Sequence, residues 1–342
     1  MIVEEQMHPL VSVILPIRNE EEAIQRTLDS VTSQDYPRDR LEILVADGMS
    51  DDATRSLVSE CAARDQRIRL VDNPGRIMVT GFNTALGFAR GEIIIMAGGH
   101  TELARDYVHN CVRLLENGSA DCVGGPIETV CSSPEASAIA LAMSSPFGVG
   151  GVAFRCAAGS ERYVDTVAFG AYTRRVIERA GQLDEEMVRN QDDEYNYRLR
   201  KLGAKILLSP SVRSRYYSRS TLRALGRQYF QYGFWKVRVL QKHPGQMQPR
   251  QFVPPLFVAS CLVSLLLVPF AKVGLWLFAA ALGPYLLANL SWSLLTARKK
   301  NWRLVPFLFL TFATLHLSYG SGFLLGISRF WNRWSFREGE AR

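Results

Sequence analysis

The sequence predicts an α/β domain with a mostly parallel sheet, followed by membrane-embedded C-terminal helices. Strand-like and helix-like segments alternate through the first hundred residues, and this alternation is typical of helices packed on both faces of a parallel sheet. From residue 252 to residue 327, charged side chains occur only in short breaks. We therefore predict an α/β domain over residues 1–218, an amphipathic interfacial helix region over 219–251, and membrane-embedded helices with a basic tail over 252–342.

Short apolar runs predict the strands, and the segments between them predict helices. Strands are expected over Leu10–Leu15, Leu41–Ala46, Ile68–Val71 and Glu92–Ala97, and helices over 24–31, Ser50–Arg64 and Ile77–Ala89. Ligands of such sheets bind beyond the carboxyl ends of the strands. Polar residues follow these strands at 18–20, 47–52, 73–76 and 98–100. Four loops are thus expected to converge on one cleft.

The absence of several sequence motifs argues against some classes of protein. No GxGxxG follows the first strand and no GxxxxGK[ST] occurs, which argues against dinucleotide oxidoreductases and P-loop enzymes. The six cysteines form no CxxC pair, so we interpret them as packing residues in a reducing compartment. No signal peptide is apparent at the N-terminus, and the first domain is therefore expected in the cytoplasm.

Three stretches without Asp, Glu, Lys or Arg follow the first domain, at 252–270, 273–296 and 304–327. A helix of about 20 apolar residues crosses the hydrocarbon core, and the alternative is a set of buried core helices. Basic residues at 298–303 favour the cytoplasm after two crossings. A third crossing would export a basic tail. Either the preference of basic residues for the cytoplasmic side is not obeyed there, or one stretch is re-entrant or interfacial and does not cross the membrane.

The net charge of +7 is concentrated between residues 213 and 250, where aromatic residues are interleaved with Lys and Arg. Such a stripe can bind nucleic acid. Directly before a membrane segment it indicates instead a helix lying against anionic lipid, at about 1 kcal/mol per basic residue. We expect no nucleic-acid partner, and we place Arg227, Gln228, Tyr232 and Trp235 at the membrane interface.

Three segments carry a family resemblance: Val11-Ser-Val-Ile-Leu-Pro-Ile-Arg-Asn-Glu20, Val45-Ala-Asp-Gly-Met-Ser-Asp-Asp-Ala-Thr54 and Asn83-Thr-Ala-Leu-Gly-Phe-Ala-Arg-Gly-Glu92. In this order and spacing they resemble glycosyltransferase family 2, and most closely its succinoglycan-biosynthesis-like branch of exopolysaccharide enzymes. The resemblance spans roughly Leu10 to Gln241. It implies a GT-A fold, an inverting mechanism and a nucleotide-diphosphate sugar donor.

The resemblance also implies a donor site. The residues carried over to it are Pro16, Arg18, Asn19 and Glu20 along the nucleoside, Asp47 accepting from the base, Asp51 in the same motif, Arg76 near the diphosphate, and Gly98 and Gly99. A carboxylate suits this task because a buried polar edge of a ligand must be paired. Two of these positions have an alternative interpretation. Asp51, together with its neighbour Asp52, could only cap the second helix. Arg76 could be an ordinary surface arginine.

The segment Arg189-Asn-Gln-Asp-Asp-Glu-Tyr-Asn-Tyr-Arg198 resembles the family's acidic pair, which here reads Gln191-Asp192. The resemblance makes Asp192 the catalytic base, which removes the acceptor's hydroxyl proton while the diphosphate leaves. Asp193 is the adjacent rival on the acceptor side, and a charged helix start is the plain alternative.

Acceptor-side segments of the same branch resemble residues 144–151 and 164–170, with Gly148, Gly150 and Gly170 allowing close backbone approach. Plain loops explain these glycines equally well. The Gln-x-x-Arg-Trp motif of processive synthases is absent, which favours addition of one sugar.

The family's metal-binding Asp-x-Asp, or Asp-x-His in the related branch, reads Gly98-Gly99-His100 here. His100 is therefore the candidate ligand of a divalent metal, Mg²⁺ or Mn²⁺, together with water, the diphosphate and a second carboxylate. Alternatively, metal binding is weakened and Arg76 neutralises the leaving group. A third possibility is a degenerate transferase that binds without turnover.

The expected function is an inverting, membrane-anchored transfer of one sugar, glucose-type, from a UDP-sugar. The expected acceptor is lipid-linked, of polyprenyl type, or otherwise membrane-associated, in polysaccharide or glycoconjugate biosynthesis. The expected location is the inner (cytoplasmic) membrane, with the catalytic domain in the cytoplasm. Two alternatives are a processive polysaccharide synthase and a nucleotide-sugar-binding membrane protein without activity.

Overall fold

The computed structural model describes residues 8–131, 133–151, 159–217, 221–298 and 300–334. The chain forms two compact units. The first comprises Met1–Val130 and Ala153–Tyr217, and the second comprises Cys131–Val152 and Ser218–Arg342.

The first unit contains an eight-stranded sheet within the described residues. Its strands are β1 (Val11–Ile17), β2 (Leu41–Asp47), β3 (Ile68–Asp72), β4 (Ile93–Met96), β6 (Cys122–Gly124), β8 (Arg162–Tyr163), β9 (Ala171–Thr173) and β10 (Ile206–Leu208), in the order β3-β2-β1-β4-β9-β6-β10-β8. Strands β1 to β4 run parallel, whereas β9 is antiparallel to β4 and β6. A second sheet has the order β5 (Thr101–Leu103), β11 (Ser214–Tyr217) and β7 (Ile127–Val130).

Helices cover both faces of the large sheet. They are α1 (Ile24–Thr32), α2 (Thr54–Arg64), α3 (Met78–Leu86), α4 (Tyr107–Glu116), α7 (Arg174–Ala180) and α8 (Gln191–Lys201). One buried cluster joins the sheet to α1, α2 and α4, and the other joins it to α3, α7 and α8. The strands are buried on both faces because helices lie above and below them, which explains their continuous apolar runs. The predicted parallel sheet is confirmed.

The second helix begins later than its sequence predicts. The expected start was Ser50, but α2 begins at Thr54, and its N-cap Ala53 has no side-chain capping bond. Asp52 accepts from the Thr54 N–H at 2.9 Å, whereas Ser50 and Asp51 bond to the loop after β1. The capping residues that suggested an earlier start are used between loops instead.

The second unit is helical in its described part. It contains α5 (Pro134–Met143), α6 (Pro146–Val149), α9 (Leu222–Lys242), α10 (Val253–Leu267), α11 (Val273–Arg298) and α12 (Val305–Arg329). Three of its segments, Pro249–Leu267, Val273–Arg298 and Trp302–Arg329, are helical, long and apolar enough to cross a membrane. They coincide with the three uncharged stretches of the sequence.

Residues 131–152 belong to this helical unit although the sequence places them inside the α/β domain. Buried Ala138, Ile139 and Ala142 of α5 share one cluster with Leu308 and Phe312 of α12. Apolar burial against a distant helix determines the grouping, and no local pattern reveals it. The boundaries at residues 218 and 251 stay predictions.

Candidate active site

Side-chain hydrogen bonds join the loops that follow β1 and β2. Asn19 donates through Nδ2 to Asp51 Oδ1 at 2.6 Å, and its Oδ1 accepts from the Asp51 N–H at 3.1 Å. The Asn19 N–H also donates to Ser50 Oγ at 3.0 Å. Asn19 and Asp51 are both exposed, so this reciprocal pair orders the two loops at the solvent edge of the sheet. The structure thus brings together two of the predicted nucleoside-binding loops.

Asp47 lies beneath these loops with its side chain fully buried. Its carboxylate accepts from Ser50 Oγ at 2.5 Å and from the Ser50 N–H at 3.2 Å. The Arg55 guanidinium bridges two carboxylates. It donates to Asp47 Oδ2 at 3.2 Å and to Asp72 Oδ1 at 2.6 Å. In this arrangement Asp47 organises the loop that carries Asp51. A direct contact of Asp47 with a nucleobase stays a prediction of the sequence.

Three loops meet around Gly48. A Cβ atom on Gly48 would lie 3.1 Å from the Arg18 Cβ and 3.3 Å from the Arg76 carbonyl oxygen. Arg18 and Arg76 are both exposed, so the ends of β1 and β3 present two cationic residues on either side of this glycine. Pro16 lies below them, because a Cβ on Gly81 of α3 would approach the Pro16 Cβ to 3.1 Å. Three predicted residues therefore share one edge of the sheet.

Backbone strain is concentrated at the same edge. The non-glycine residues with positive φ in the described ranges are Asn19, Met49, Arg76, Phe169 and Asn190. The first three lie in the loops after β1, β2 and β3, Phe169 lies just before β9, and Asn190 caps α8. Each such residue costs on the order of 1–3 kcal/mol, and strain of this kind clusters at functional sites. Met49 and Phe169 lie within segments that resemble the family, but the sequence analysis assigns a role to neither residue.

His100 follows β4 and pairs with Glu20 from the loop after β1. The distance from His100 Nδ1 to Glu20 Oε1 is 3.1 Å, and their side chains are 27% and 13% exposed. A carboxylate accepts, so Nδ1 carries the hydrogen, and Nε2 is the ring atom left to coordinate a metal. Gly99 makes this pair possible, because a Cβ there would lie 2.8 Å from Glu20 Cγ. Glu20 therefore orients His100.

The donor set for a metal is small. In the described ranges no group of three or more His, Cys, Asp or Glu side chains is placed to hold an ion. His100 is oriented by a carboxylate, as histidine ligands of metals commonly are. These residues fit a divalent ion that arrives with a diphosphate ligand, with His100 as its protein ligand and Glu20 behind it. They do not fit an ion held by protein groups alone.

A side chain at Gly98, where the family motif has aspartate, would lie close to its neighbours. A Cβ on Gly98 would lie 3.2 Å from Thr101 Oγ1 and 3.5 Å from the Phe169 ring. Thr101 is buried, and its hydroxyl has no hydrogen-bond partner among the described residues. A carboxylate at position 98 would give this hydroxyl an acceptor. Position 98 therefore lacks the motif carboxylate, and Thr101 must shift by a few tenths of an ångström to admit one.

The predicted base lies in the first turn of α8. Burial raises the pKa of the Tyr172 phenol well above its ordinary value, and the Tyr172 hydroxyl donates to Asn196 Oδ1 of α8 at 3.4 Å. A Cβ on Gly170 would approach the Tyr172 hydroxyl to 2.8 Å, and the Gly170 carbonyl accepts from the Met96 N–H at 3.0 Å. Gly170 therefore lies at the end of β4, and Tyr172 links its strand to α8, the helix that carries Asp192. Asp193 shares the first turn of α8.

Asn83, part of the third motif segment, positions the approach to α8. Its Nδ2 donates to the Leu183 carbonyl at 2.9 Å, and its Oδ1 accepts from the Leu183 N–H at 3.0 Å. The side chain is buried, so both bonds are shielded from water. Sequence reasoning used Asn83 only as a family marker, and the hundred residues between the partners conceal its role.

Replacement of Asn83 by alanine is expected to destabilise the first unit by about 1–3 kcal/mol, because a buried N–H and carbonyl lose their partners. It is also expected to lower turnover, since the segment leading to α8 is released. Thermal unfolding in detergent and a transfer assay measure the two effects. Thr84→Ala is the matched control, and equal stability of the two variants would contradict the proposed role of Asn83.

The remaining predicted residues lie in the helical unit. Gly148 packs in α6 against the Ala142 carbonyl, and the Gly150 carbonyl accepts from Arg250. Both glycines therefore serve packing and capping there, which leaves an acceptor-side role as a prediction. On α9, Arg227 is exposed, Gln228 donates to the Tyr232 hydroxyl at 2.8 Å, and Trp235 packs against Phe234 and Phe330.

Known proteins resemble this chain in sequence and fold. Residues 12–157 match the model of glycosyl transferase family 2. The chain is 28% identical to the succinoglycan biosynthesis protein ExoA of Rhizobium meliloti (strain 1021), over 91% of this chain and 93% of that protein. It is 29% identical to a dolichyl N-acetyl-alpha-D-glucosaminyl phosphate 3-beta-D-2,3-diacetamido-2,3-dideoxy-beta-D-glucuronosyltransferase of Methanococcus voltae, over 68% of this chain and 74% of that protein.

Among solved structures, the mannosyltransferase PcManGT from Pyrobaculum calidifontis, in complex with GDP-Man and Mn²⁺, has a TM-score of 0.59 at 21% identity. The match covers 94% of this chain and 88% of that one. Staphylococcus aureus TarS 1–349 has a TM-score of 0.53 at 16% identity, covering 96% of this chain and 93% of that chain. At these identities the two structures establish a shared fold.

Proposed function

We propose a reaction for this chain from one premise, that it is a hexosyltransferase of the glycosyltransferase family 2 type with a GT-A fold. The reaction is transfer of a single sugar from a UDP-sugar, with inversion, to a lipid-linked acceptor of polyprenyl type. The observation that carries the proposal is the position of Asp192 in the first turn of α8, where the adjacent Gln191 contacts Met78 at the start of α3 (Nε2 to Sδ, 4.0 Å).

Asp192 acts as the general base. The acceptor hydroxyl gives its proton to the Asp192 carboxylate as its oxygen attacks the anomeric carbon. The bond from that carbon to the nucleoside diphosphate breaks on the opposite face, and the diphosphate leaves with both bonding electrons. A positioned carboxylate supports such a step because it removes the proton in the transition state.

Cationic groups at the ends of β1 and β3 suit the leaving diphosphate. Arg18 and Arg76 are exposed on either side of Gly48, where they would stabilise the charge that develops on the leaving group. Glu20 holds His100 with Nε2 directed away from the carboxylate. A divalent ion, Mg²⁺ or Mn²⁺, bound there with the diphosphate would screen its charge.

The helical unit supports a membrane-associated acceptor. Three helices that are long and apolar enough to cross a membrane support a membrane location, and the relative from Methanococcus voltae is named for a dolichyl phosphate acceptor. We place this chain in the cytoplasmic membrane, with the catalytic unit in the cytoplasm and the basic residues of α9 near anionic lipid. A lipid-linked acceptor would then share the bilayer with the helical unit.

A donor screen tests this proposal. Purified protein in detergent receives a panel of UDP- and GDP-sugars with native lipid extract as acceptor, with and without EDTA. We expect consumption of one UDP-sugar, with UDP-glucose as the first candidate, and transfer of label into the lipid fraction. EDTA is expected to lower the rate at least tenfold, because the diphosphate loses its screening ion. Consumption of a GDP-sugar alone would overturn the UDP assignment.

The second candidate function is nucleotide-sugar binding without turnover, and Gly98 favours it because the motif aspartate is absent there. Titration calorimetry that detects UDP binding, together with no donor consumed in the panel, would support this function over transfer. A processive synthase is separated by product length, since a ladder of long polymers would replace the single addition that we propose.

Replacement of Gly98 by aspartate is expected to tighten Mn²⁺ binding about tenfold in the presence of UDP. A Cβ at position 98 requires Thr101 to shift by only a few tenths of an ångström, and the new carboxylate adds an oxygen ligand of the kind that Mn²⁺ prefers. Electron paramagnetic resonance of free Mn²⁺ measures the affinity. Gly98→Asn is the uncharged control, and equal Mn²⁺ affinity of the two variants would contradict a metal site at the end of β4.

A further inference from the structure

The helices α10 and α11 form an antiparallel hairpin with an exposed apolar tip. Phe257 stacks on Tyr285 with ring centroids 4.2 Å apart, and nearer the tip a Cβ on Gly274 would lie 2.8 Å from the Ser264 carbonyl oxygen. Exposed residues surround the turn, and Phe270 is 86% exposed. With 26 residues, α11 is about 39 Å long, which exceeds the hydrocarbon thickness of about 30 Å. The hairpin is long enough to cross a bilayer.

Both ends of this hairpin lie at its base, opposite the tip. Arg250 precedes α10, and Arg298, Lys300 and Arg303 follow along the end of α11 and the next turn. Because a hairpin returns to its starting side, all four residues lie on one side of the membrane. The concentration of positive charge assigns this side to the cytoplasm.

The third apolar helix, α12, begins at the base and runs beside the second half of α11. Leu308 near its start is buried in one cluster with Ala297 at the end of α11. Further along, Asn289 donates to the Phe309 carbonyl at 3.1 Å, and Tyr285 lies 3.1 Å from His316. These two contacts are seven residues apart in α12 but only four residues apart in α11, so the first half of α12 crosses the cytoplasmic half of α11 obliquely.

The second half of α12 lies beside the start of α10, at the base of the hairpin. A Cβ on Gly320 would lie 2.6 Å from the Pro254 carbonyl oxygen, in the first turn of α10. Phe323 packs against Phe252, which precedes α10, with ring centroids 5.9 Å apart. The Phe330 carbonyl accepts from Gln241 at 2.8 Å, at the end of α9. The end of α12 thus lies next to segments that come before the first crossing.

The basic helix α9 accompanies α12 along this second half. A Cβ on Gly226 would lie 3.3 Å from Ser318 Oγ, one on Gly322 would overlap the Phe230 carbonyl, and one on Gly326 would lie 2.6 Å from the Phe234 carbonyl. Positions 226, 230 and 234 of α9 thus face positions 318, 322 and 326 of α12 in the same order. The two helices therefore run parallel, with their backbones close together. Five basic residues occur along α9, and burying them in hydrocarbon would be costly. A helix bound this closely to α9 shares its depth.

We propose that α12 lies in the membrane interface, parallel to the bilayer, and that the chain crosses the membrane only twice. The partner surface is the headgroup region of the cytoplasmic leaflet. Its lipid-facing stripe consists of Phe307, Leu310, Leu317 and Leu325, which are exposed at helical spacing on α12. Arg329 and Arg333 then stay on the side of Arg250, which removes the conflict that a third crossing creates with the charge rule.

Topology reporters on the full chain test this proposal. Green fluorescent protein, which fluoresces in the cytoplasm, and alkaline phosphatase, which is active only outside it, are fused in turn after Arg342 in a bacterial host. The hairpin tip is probed in intact cells by labelling Ala271→Cys with a membrane-impermeant maleimide, and the wild-type chain is the control. We expect a fluorescent fusion, an inactive phosphatase and a labelled tip.

Active phosphatase after Arg342 together with a labelled tip would establish a third crossing and overturn the proposal. An unlabelled tip would overturn it as well, because the hairpin would then not cross. Spin labels at Leu310 and Leu325 in a cysteine-free background add a depth measurement in proteoliposomes. We expect depths that agree within a few Å, whereas a crossing helix would separate these positions by about 22 Å. Neither readout depends on the transferase activity.

Discussion

Replacement of Asp192 by asparagine is expected to lower the rate of sugar transfer by about 10²–10⁴-fold, the usual contribution of a positioned general base. Asparagine keeps the size of the side chain and its place in the first turn of α8, but it cannot take the proton of the acceptor hydroxyl. Release of the nucleotide in the presence of acceptor lipid measures the rate. Donor binding, followed by titration calorimetry, is expected to stay within about threefold of wild type, because the nucleoside loops are untouched.

Asp193→Asn is the matched control for this experiment. It removes the same charge from the neighbouring position in the same helical turn, so any general electrostatic effect on α8 is shared by the two variants. We expect it to retain most of its turnover. Undiminished turnover in Asp192→Asn would remove Asp192 from the base role, and loss of turnover in Asp193→Asn alone would assign that role to Asp193.

Replacement of Asp47 by alanine is expected to destabilise the first unit by about 1–3 kcal/mol and to weaken donor binding at least tenfold. The carboxylate is fully buried and accepts from both the hydroxyl and the N–H of Ser50. Its removal leaves these donors without a partner, and the cost of an unsatisfied buried group is of this size. The loop that bonds Asn19 to Asp51 would lose its support. Thermal unfolding in detergent measures the stability, and calorimetry with UDP measures the binding.

Asp72→Ala is the matched control for Asp47→Ala, because it removes an ion pair with Arg55 without removing the support of the loop. Asp72 accepts from the same Arg55 at 2.6 Å, but its side chain is 63% exposed, so the expected cost is below about 1 kcal/mol. If Asp47→Ala unfolds like wild type and still loses UDP binding, Asp47 contacts the base directly, as the family resemblance implies. If it loses stability as well, Asp47 acts by holding the loop.

Local sequence properties account for the first half of the sheet. The runs that form β1 to β4 are apolar and short, and turn-forming residues bound them, so their spacing predicts strand and helix in the correct order. Because parallel strands end on one edge, the loops carrying Arg18, Asp51, Arg76 and His100 could be assigned to one cleft without a structure. The pairing of His100 with Glu20 could not, since the two residues belong to loops separated by several elements.

Other parts of the site depend on pairings between distant residues. The short strand β9 is antiparallel between β4 and β6, and this insertion brings Phe169 to the end of β4 and Tyr172 opposite Ile94. Asn83 holds Leu183 a hundred residues away. The shift of α2 to Thr54 has the same origin, because Ser50 and Asp51 bond across to Asn19 instead of capping the helix. Hydrophobic periodicity and turn-forming residues give information about residues that are close in the sequence. These contacts, in contrast, join segments that are distant in the sequence and come together only when the chain folds.

The membrane region shows the same division. Composition alone determined that residues 304–327 form an apolar helix suited to a bilayer, since length and absence of charge are properties of the segment itself. Composition also left open whether that helix crosses. Only the tertiary structure, through Gly320 beside Pro254 and Phe330 beside Gln241, places its end near the start of α10. The direction of a helix in a membrane is set by what packs against it, and those partners lie elsewhere in the chain.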